Sequence, residues 1–143
     1  MQRESATWVS LGVSLLGSLY VTAGCGDDDG TAADRIGIAA ECSADDDCPE
    51  TRRGDQTLQL TCLREFRGGY CGIADCQKHD DCPEGSACVN HTDGKHYCFR
   101  LCTDKTECNR NRTPANEANC SSNISFTEAT PSKKACVPPS SGA

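Results

Sequence analysis

The stretch CQKHDDCPEGSACVNHTDGKHYC, residues 76–98, holds four cysteines, and five residues separate the first two. The same five-residue gap opens CSADDDC, residues 42–48, and CTDKTEC, residues 102–108. The three sets of four are Cys42, Cys48, Cys62 and Cys71; Cys76, Cys82, Cys88 and Cys98; and Cys102, Cys108, Cys120 and Cys136. Equal spacing in three consecutive sets indicates an internal repeat. The sequence therefore predicts three tandem four-cysteine modules.

Each first loop is predicted to form a single helical turn. An acidic residue stands directly before the second cysteine of every set: Asp47, Asp81 and Glu107. The same loops contain residues that form Asx turns or helix caps, namely Ser43, Asp45, Asp80 and Asp104. Carboxylates in a loop can also bind calcium. Because His79 and Lys105 occupy the position of Asp45 in the other two loops, a shared calcium site is not expected.

The second halves of the modules are predicted to form hairpins. Gly68-Gly69 and Asp93-Gly94 each separate two short arms, and such pairs are strong hairpin-turn signals. The third set has a longer Ser/Thr-rich arm, residues 120–136, whose tip we expect to be mobile. The links between sets are short, which favours a rod of stacked modules.

Composition favours a disulfide scaffold over a large apolar core. The chain has 143 residues, of which 13 are cysteines and only 5% are aromatic. Such a chain depends on covalent cross-links in an oxidising compartment. The expected fold is therefore small and disulfide-rich, with short hairpins, single helical turns and little regular secondary structure.

The acidity of the chain is local. Residues 25–50 contain nine acids and one arginine, whereas the formal charge of the whole chain is −7. This segment is typical of a solvated spacer. Because basic residues do not form a patch interleaved with aromatic residues, we expect no nucleic-acid partner.

The first residues, MQRESATWVSLGVSLLGSLYVTAGC, resemble an export signal. The apolar run from Trp8 to Val21 is too short to span a membrane stably. Cleavage after Ala23 would release a soluble protein that starts at Gly24. Cleavage before Cys25 would give a different product, with that cysteine at the amino terminus.

The residues Ala23, Gly24 and Cys25 resemble the lipobox of bacterial lipoproteins, in which the cysteine receives a diacylglycerol thioether. Thr22 departs from that pattern, which has an aliphatic residue at this position. The resemblance implies a signal peptide at 1–24, lipid attachment at Cys25, and a lipidated, acidic, flexible tether at 25–41.

Cysteine parity favours acylation of Cys25, because an odd total of 13 leaves 12 between Cys42 and Cys136. The alternative is a free or intermolecular thiol at Cys25. Asp27 to Asp29 lack the ligand spacing of a calcium loop.

The pattern C-x5-C-P-x-G-x-x-C at 76–88 resembles the short cysteine-rich repeats of secreted bacterial lipoproteins. It is more distantly similar to the amino-terminal region of Dickkopf proteins and to other growth-factor-like modules. Set one departs by a long insert, PETRRGDQTLQLTC at 49–62, and set three lacks the Pro and Gly. The resemblance implies extracellular interaction modules at 42–75, 76–101 and 102–136, followed by a flexible tail at 137–143.

Four cysteines allow three pairings, and sequence alone does not choose between them. Analogy with crossed growth-factor-type modules implies that the first cysteine of each set pairs with the third and the second with the fourth. The implied disulfides are Cys42–Cys62, Cys48–Cys71, Cys76–Cys88, Cys82–Cys98, Cys102–Cys120 and Cys108–Cys136.

Catalytic and cofactor motifs do not occur in the sequence, so we expect a non-enzyme with no cofactor, no metal and no small-molecule substrate. It has no C-x-x-C pair, no G-x-S-x-G or H-E-x-x-H motif and no phosphate loop. Its three histidines are His79, His91 and His96. His91 and His96 flank a predicted hairpin tip, but two imidazoles alone do not make a metal site.

The sequence leaves two function classes. In the first, an exported lipoprotein is held in the outer membrane or at the cell surface by acylated Cys25, and its modules bind other envelope or cell-surface proteins. The resemblance further implies a component of an adhesion or contact-dependent gliding-motility assembly. In the second, the protein is a soluble secreted ligand or a protease-inhibitor-like module.

Two further features bear on the soluble alternative. Arg53-Gly54-Asp55 forms an integrin-recognition tripeptide, a sequence that also arises often by chance. Four asparagines begin N-x-S/T sequons that could carry glycans in a eukaryotic secreted protein: Asn90, Asn111, Asn119 and Asn123.

Overall fold

Six disulfides define the fold of the computed structural model, which describes residues 32–35, 37–130 and 132–140. They join Cys42 to Cys62, Cys48 to Cys71, Cys76 to Cys88, Cys82 to Cys98, Cys102 to Cys120 and Cys108 to Cys136. In each set the first cysteine pairs with the third and the second with the fourth. These are the pairs that the crossed arrangement implies. Cα–Cα distances of 5.3 to 5.9 Å lie within the ordinary range for disulfides.

All three modules share one plan, in which a helical turn is fastened to an antiparallel strand pair. The third and fourth cysteines stand directly opposite each other, at Cys62 and Cys71, at Cys88 and Cys98, and at Cys120 and Cys136. The first and second cysteines bracket the turn, so the two disulfides connect the turn to both strands. The small disulfide-rich fold with single turns and short hairpins is therefore confirmed.

The regular elements are short. The helices are α1 (Ala32–Arg35) and α2 (Lys105–Cys108), with 3₁₀ turns at Asp45–Asp47, His79–Asp81 and Pro114–Asn116. The strands are β1 (Glu50–Arg53), β2 (Gln56–Gln59), β3 (Thr61–Cys62), β4 (Cys71–Gly72), β5 (Ser86–Asn90), β6 (His96–Cys102), β7 (Asn119–Ser121), β8 (Ser125–Phe126) and β9 (Lys134–Val137). None of the helices in the described part of the chain is long and apolar enough to cross a membrane.

A five-stranded antiparallel sheet joins modules 2 and 3, in the order β7-β9-β6-β5-β8. Strand β6 runs from His96 to Cys102 and thus crosses the boundary between 76–101 and 102–136. Its early residues pair with β5, and Leu101 and Cys102 pair with β9. The two modules are therefore parts of one sheet.

Module 1 contains two small sheets. Strands β1 and β2 form a hairpin inside the long insert, and β3 pairs with β4. Gly69, in the turn before β4, has φ of 66° and lies so close to Cys42 that an added Cβ would stand 2.1 Å from the Cys42 carbonyl oxygen. Only glycine fits this close approach.

Aromatic side chains from modules 1 and 2 form the centre of the core. Phe66 makes edge contacts with Tyr70, Tyr97 and Phe99, at ring-centroid distances of 6.0, 5.1 and 5.6 Å. All four side chains are buried, at 2% exposure or less. Edge contacts of this kind add stability beyond simple burial. Few large apolar residues suffice here because the disulfides supply the remaining constraint.

The buried guanidinium of Arg112 connects module 3 to module 1. Its nitrogens donate to the carbonyl oxygens of Ala39 (3.1 Å), Gly69 (3.0 Å), Arg67 (3.0 Å) and Asn116 (2.7 Å). Modules 1 and 3 therefore touch directly. In a rod of stacked modules they would be separated by module 2, so the expected rod does not describe this arrangement.

Residues 37–41 of the expected tether and residues 137–140 of the expected tail pack against the rest of the protein. Ile38 and Ala39 are 1% and 2% exposed, and the Ala39 amide donates to the Cys71 carbonyl at 3.0 Å. At the other end, the Pro139 carbonyl accepts from the Arg67 amide at 2.9 Å, and Ser140 forms a bridge with Phe66. Residues 37–41 and 137–140 belong to the fold because their apolar side chains and backbone groups pack against module 1.

Candidate functional site

The predicted lipid attachment site, Cys25, lies outside the described residues, as do the signal segment and Asp27 to Asp29. The disulfides use 12 of the 13 cysteines. No cysteine of the chain therefore remains to pair with Cys25. A disulfide content this high is typical of exported proteins.

The closest groups of potential metal ligands are cysteines. In the described ranges, sulfurs lie within 4.8 Å of one another in three groups: Cys42, Cys48 and Cys71; Cys76, Cys82 and Cys88; and Cys102, Cys108 and Cys120. Each group is formed by the two neighbouring disulfides of one module. Disulfide sulfurs are not thiolates, so these groups are structural cross-links.

The acid before the second cysteine closes the helical turn in every module. Asp47 Oδ2 accepts from the amides of Ser43 and Ala44 at 2.8 and 3.0 Å. Asp81 Oδ2 accepts from the amides of Gln77 and Lys78 at the same two distances. These backbone hydrogen bonds lower the pKa of Asp47 and of Asp81. The carboxylates that could suggest calcium binding are thus used by the backbone.

Glu107 performs the same task in module 3, where it accepts from the Thr103 amide at 2.8 Å. Asp104 adds a helix N-cap, since its carboxylate accepts from the amides of Thr106 and Glu107. A cap of this type satisfies amides that the first turn of a helix leaves free.

The residue three positions after the first cysteine binds the strand behind the turn. Asp45 Oδ1 accepts from the Cys62 amide at 2.9 Å, and His79 Nδ1 accepts from the Cys88 amide at 3.2 Å. An acid and an imidazole therefore do the same structural work at equivalent positions. Lys105, the module 3 equivalent, has no acceptor atom and pairs with Glu117 instead.

His79 also ties module 2 to the Ser/Thr-rich arm of module 3. Its Nε2 lies 2.5 Å from Thr130 Oγ1, its amide donates to Glu128 at 2.5 Å, and its ring contacts Phe126 edge-on. Because Nδ1 accepts a hydrogen bond, the proton of the neutral ring resides on Nε2, which donates to Thr130.

The other two histidines have separate partners. His91 packs edge-on against Phe66 at a ring-centroid distance of 5.3 Å, and its Nδ1 lies 3.2 Å from Asp93 Oδ1. His96 Nδ1 contacts the Cys76 carbonyl oxygen at 3.0 Å. Within the described ranges, neither histidine belongs to a group of three potential metal ligands.

Asp93 receives hydrogen bonds that keep it ionised. Burial alone raises its pKa, but hydrogen bonds from the Lys95 amide and the Tyr97 hydroxyl, together with His91, outweigh burial and leave the pKa of Asp93 below its usual range. Burial and the acceptors Asp93 and Glu65 raise the pKa of Tyr97. This network holds the β5–β6 turn in place beside the aromatic core.

Arg53-Gly54-Asp55 lies at the tip of the β1–β2 hairpin, where Gly54 has φ of 57°. Asp55 is exposed, but Arg53 is half-buried and its Nη2 donates to Gln56 Oε1 at 2.9 Å. The arginine thus bonds back to its own hairpin, which disfavours presentation of the tripeptide to a receptor. The four sequon asparagines, Asn90, Asn111, Asn119 and Asn123, are exposed.

The strongest candidate for a binding site is a half-open cleft of about 600 Å³ between modules 2 and 3. Its lining comprises Val89, Asn90, His91, Thr92, Phe99, Ser122, Asn123, Ile124, Ser125, Val137, Pro138 and Ser140. The end of β5 and the middle of β6 contribute Val89 and Phe99. The β7–β8 loop with the first residue of β8 contributes 122–125. The last residue of β9, Val137, and the segment that follows it contribute the rest of the lining outside β5, β6 and the turn between them.

Sequence reasoning missed this cleft. Its walls come from segments far apart in sequence, and they meet only because β5, β6, β8 and β9 share one sheet. The sequence feature that could have indicated it is a lack of charge. Residues 119–127, NCSSNISFT, contain no charged side chain, although 24% of the residues in the chain are charged. No protein-family model, no curated protein and no solved structure matches this chain.

Proposed function

We propose that the protein is a non-catalytic interaction lipoprotein, anchored to a membrane by acylated Cys25. The observation that carries the proposal is the disulfide pattern, which uses every cysteine from Cys42 to Cys136 and leaves Cys25 beside a lipobox-like Ala23-Gly24. Two or more acyl chains on one cysteine hold a protein on a bilayer far better than one chain does.

The short separation in sequence between Cys25 and the fold supports this role. Ala33 is 1% exposed and lies against Gly85. Seven residues lie between Cys25 and Ala33, and a chain of that length spans at most about 30 Å. The modules would therefore work close to the membrane surface, where a partner in the same envelope is within reach. More specifically, we propose that the protein is a component of an adhesion or contact-dependent gliding-motility assembly.

Detergent partitioning tests the anchor. The wild-type chain is expected in the detergent-rich phase and Cys25→Ser in the aqueous phase. Thr22→Leu is a matched control, because it restores the aliphatic residue of the lipobox and is expected to partition like the wild type. Equal partitioning of Cys25→Ser and the wild type would refute the anchor.

The second candidate function is a soluble secreted ligand or protease-inhibitor-like module. The exposure of all four sequon asparagines favours it, since a glycan at any of them would meet solvent. A mature chain that begins at Gly24 without lipid, and that carries glycans, would support this alternative.

A further inference from the structure

We propose that the cleft between modules 2 and 3 binds an uncharged segment of a partner polypeptide, with an aliphatic side chain seated against Ile124 and Val137. The inference rests on the proposed role in protein interaction, for which it names the surface and the kind of partner. It does not depend on the lipid at Cys25.

The absence of charge in the described lining indicates a neutral ligand. None of the cleft residues is Asp, Glu, Lys or Arg, although these make up 24% of the chain. A charged ligand entering this space would lose hydration without gaining an opposite charge, which is costly. An uncharged segment avoids that cost.

The apolar part of the cleft fits an aliphatic side chain. Ile124 and Val137 line the cleft, are half-buried and pack against the core. Phe99 also borders the cleft and is 0% exposed. Sugar rings often stack on an accessible aromatic face, and the buried Phe99 ring offers none. A peptide side chain needs only aliphatic contact, so the cleft favours a peptide over a carbohydrate.

The polar part of the cleft matches a peptide backbone. Asn90 and Asn123 are exposed, and in the part of the chain that the structure describes their side-chain amides make no hydrogen bond. An amide side chain offers both donors and an acceptor, as a peptide group does.

The size of the cleft is consistent with a few residues of peptide. Its volume of about 600 Å³ lies within the usual range of ligand pockets. One lining residue, His91, is also fixed in position, because its ring packs against Phe66 and its Nδ1 contacts Asp93. A preformed wall reduces the ordering cost of binding.

Selection from a random heptapeptide phage library on the full chain tests the proposal. We expect enrichment of peptides that lack charged residues and carry an aliphatic anchor. Ile124→Asp is expected to weaken the best peptide about tenfold or more, which corresponds to about 1.4 kcal/mol. Leu58→Asp, at a half-buried position on the distant β2, is the matched control and is expected to bind as the wild type does.

A second variant guards against misfolding. The double change Asn90→Ala and Asn123→Ala affects exposed side chains only, and we expect it to weaken the peptide several-fold with all six disulfides retained. Enrichment of charged peptides, no enrichment, equal affinity for the double variant, or binding on a glycan array alone would each overturn the proposal. Repeating the selection on Cys25→Ser separates the two proposals, because peptide binding persists there even if the anchor proposal fails.

Discussion

Replacement of Arg112 by methionine is expected to loosen the contact between modules 1 and 3. The guanidinium donates to four main-chain carbonyls, and its Cζ lies 6.0 Å from the centre of the Tyr70 ring. Burial lowers the pKa of Arg112, while Glu41 acts in the opposite direction. Because the ordinary arginine pKa lies far above 7, the side chain remains a cation that needs these acceptors.

The expected loss follows from the two carbonyls that Arg112 reaches in fully buried positions, those of Ala39 and Gly69. A buried carbonyl left without a donor costs about 1–3 kcal/mol, and removal of a buried charge offsets part of that cost. We therefore expect Arg112→Met to lower the free energy of unfolding by about 3 kcal/mol. Arg112→Lys should lose about 2 kcal/mol, because one ammonium cannot replace the planar fork.

Urea unfolding with the disulfides intact, followed by tyrosine near-ultraviolet circular dichroism, measures this loss. Arg64→Met removes an exposed arginine and is the control, with an expected change of about 0.5 kcal/mol or less. If Arg112→Met is as stable as Arg64→Met, the guanidinium does not hold the two modules together and the reasoning is wrong.

The remaining predictions concern the turns and the close contacts of the modules. Backbone hydrogen bonds lower the pKa of Asp81 in the folded protein. Its contribution to stability is therefore present above the ordinary Asp pKa of about 3.9 and is lost as the pH falls through the lower pKa of the folded state. Asp81→Asn should reduce the fall in the urea midpoint between pH 5 and 2, and the control Asp80→Asn should not. His79→Ala should cost about 1–2 kcal/mol and speed hydrogen exchange in the 127–130 arm, and unchanged exchange would contradict the contact. Gly69→Ala should prevent correct disulfide formation, since its Cβ would stand 2.1 Å from the Cys42 carbonyl oxygen. In the control Gly54→Ala, the added Cβ has no atom within 4 Å. That variant should still form all six disulfides and lose only about 1–2 kcal/mol of stability through its backbone conformation.

Much of the module plan can be predicted from the sequence. The five-residue gap, the acid before the second cysteine and the Gly68-Gly69 and Asp93-Gly94 pairs act locally, so each identifies a turn by its own chemistry. The repeat also shows why Asp45 and His79 are equivalent, because both accept from the amide of the third cysteine.

The assembly of the modules could not be predicted in the same way. Arg112 stands in a polar stretch, RNRTP, that is typical of an exposed loop, yet its acceptors are carbonyls, which every residue carries. The extension of β6 to Cys102 depends on its pairing with the distant strand β9. The cleft could not be predicted for the same reason, since its walls meet only after β8 and β9 have joined the sheet.

Mass spectrometry of the mature, unreduced protein, with peptide mapping of its disulfides, tests the lipid anchor and the disulfide pattern together. We expect Cys25 to be the first residue and to carry a diacylglycerol thioether, while the other 12 cysteines form the six crossed pairs. An unmodified chain that begins at Gly24, or a disulfide between Cys25 and any other cysteine, would contradict this expectation.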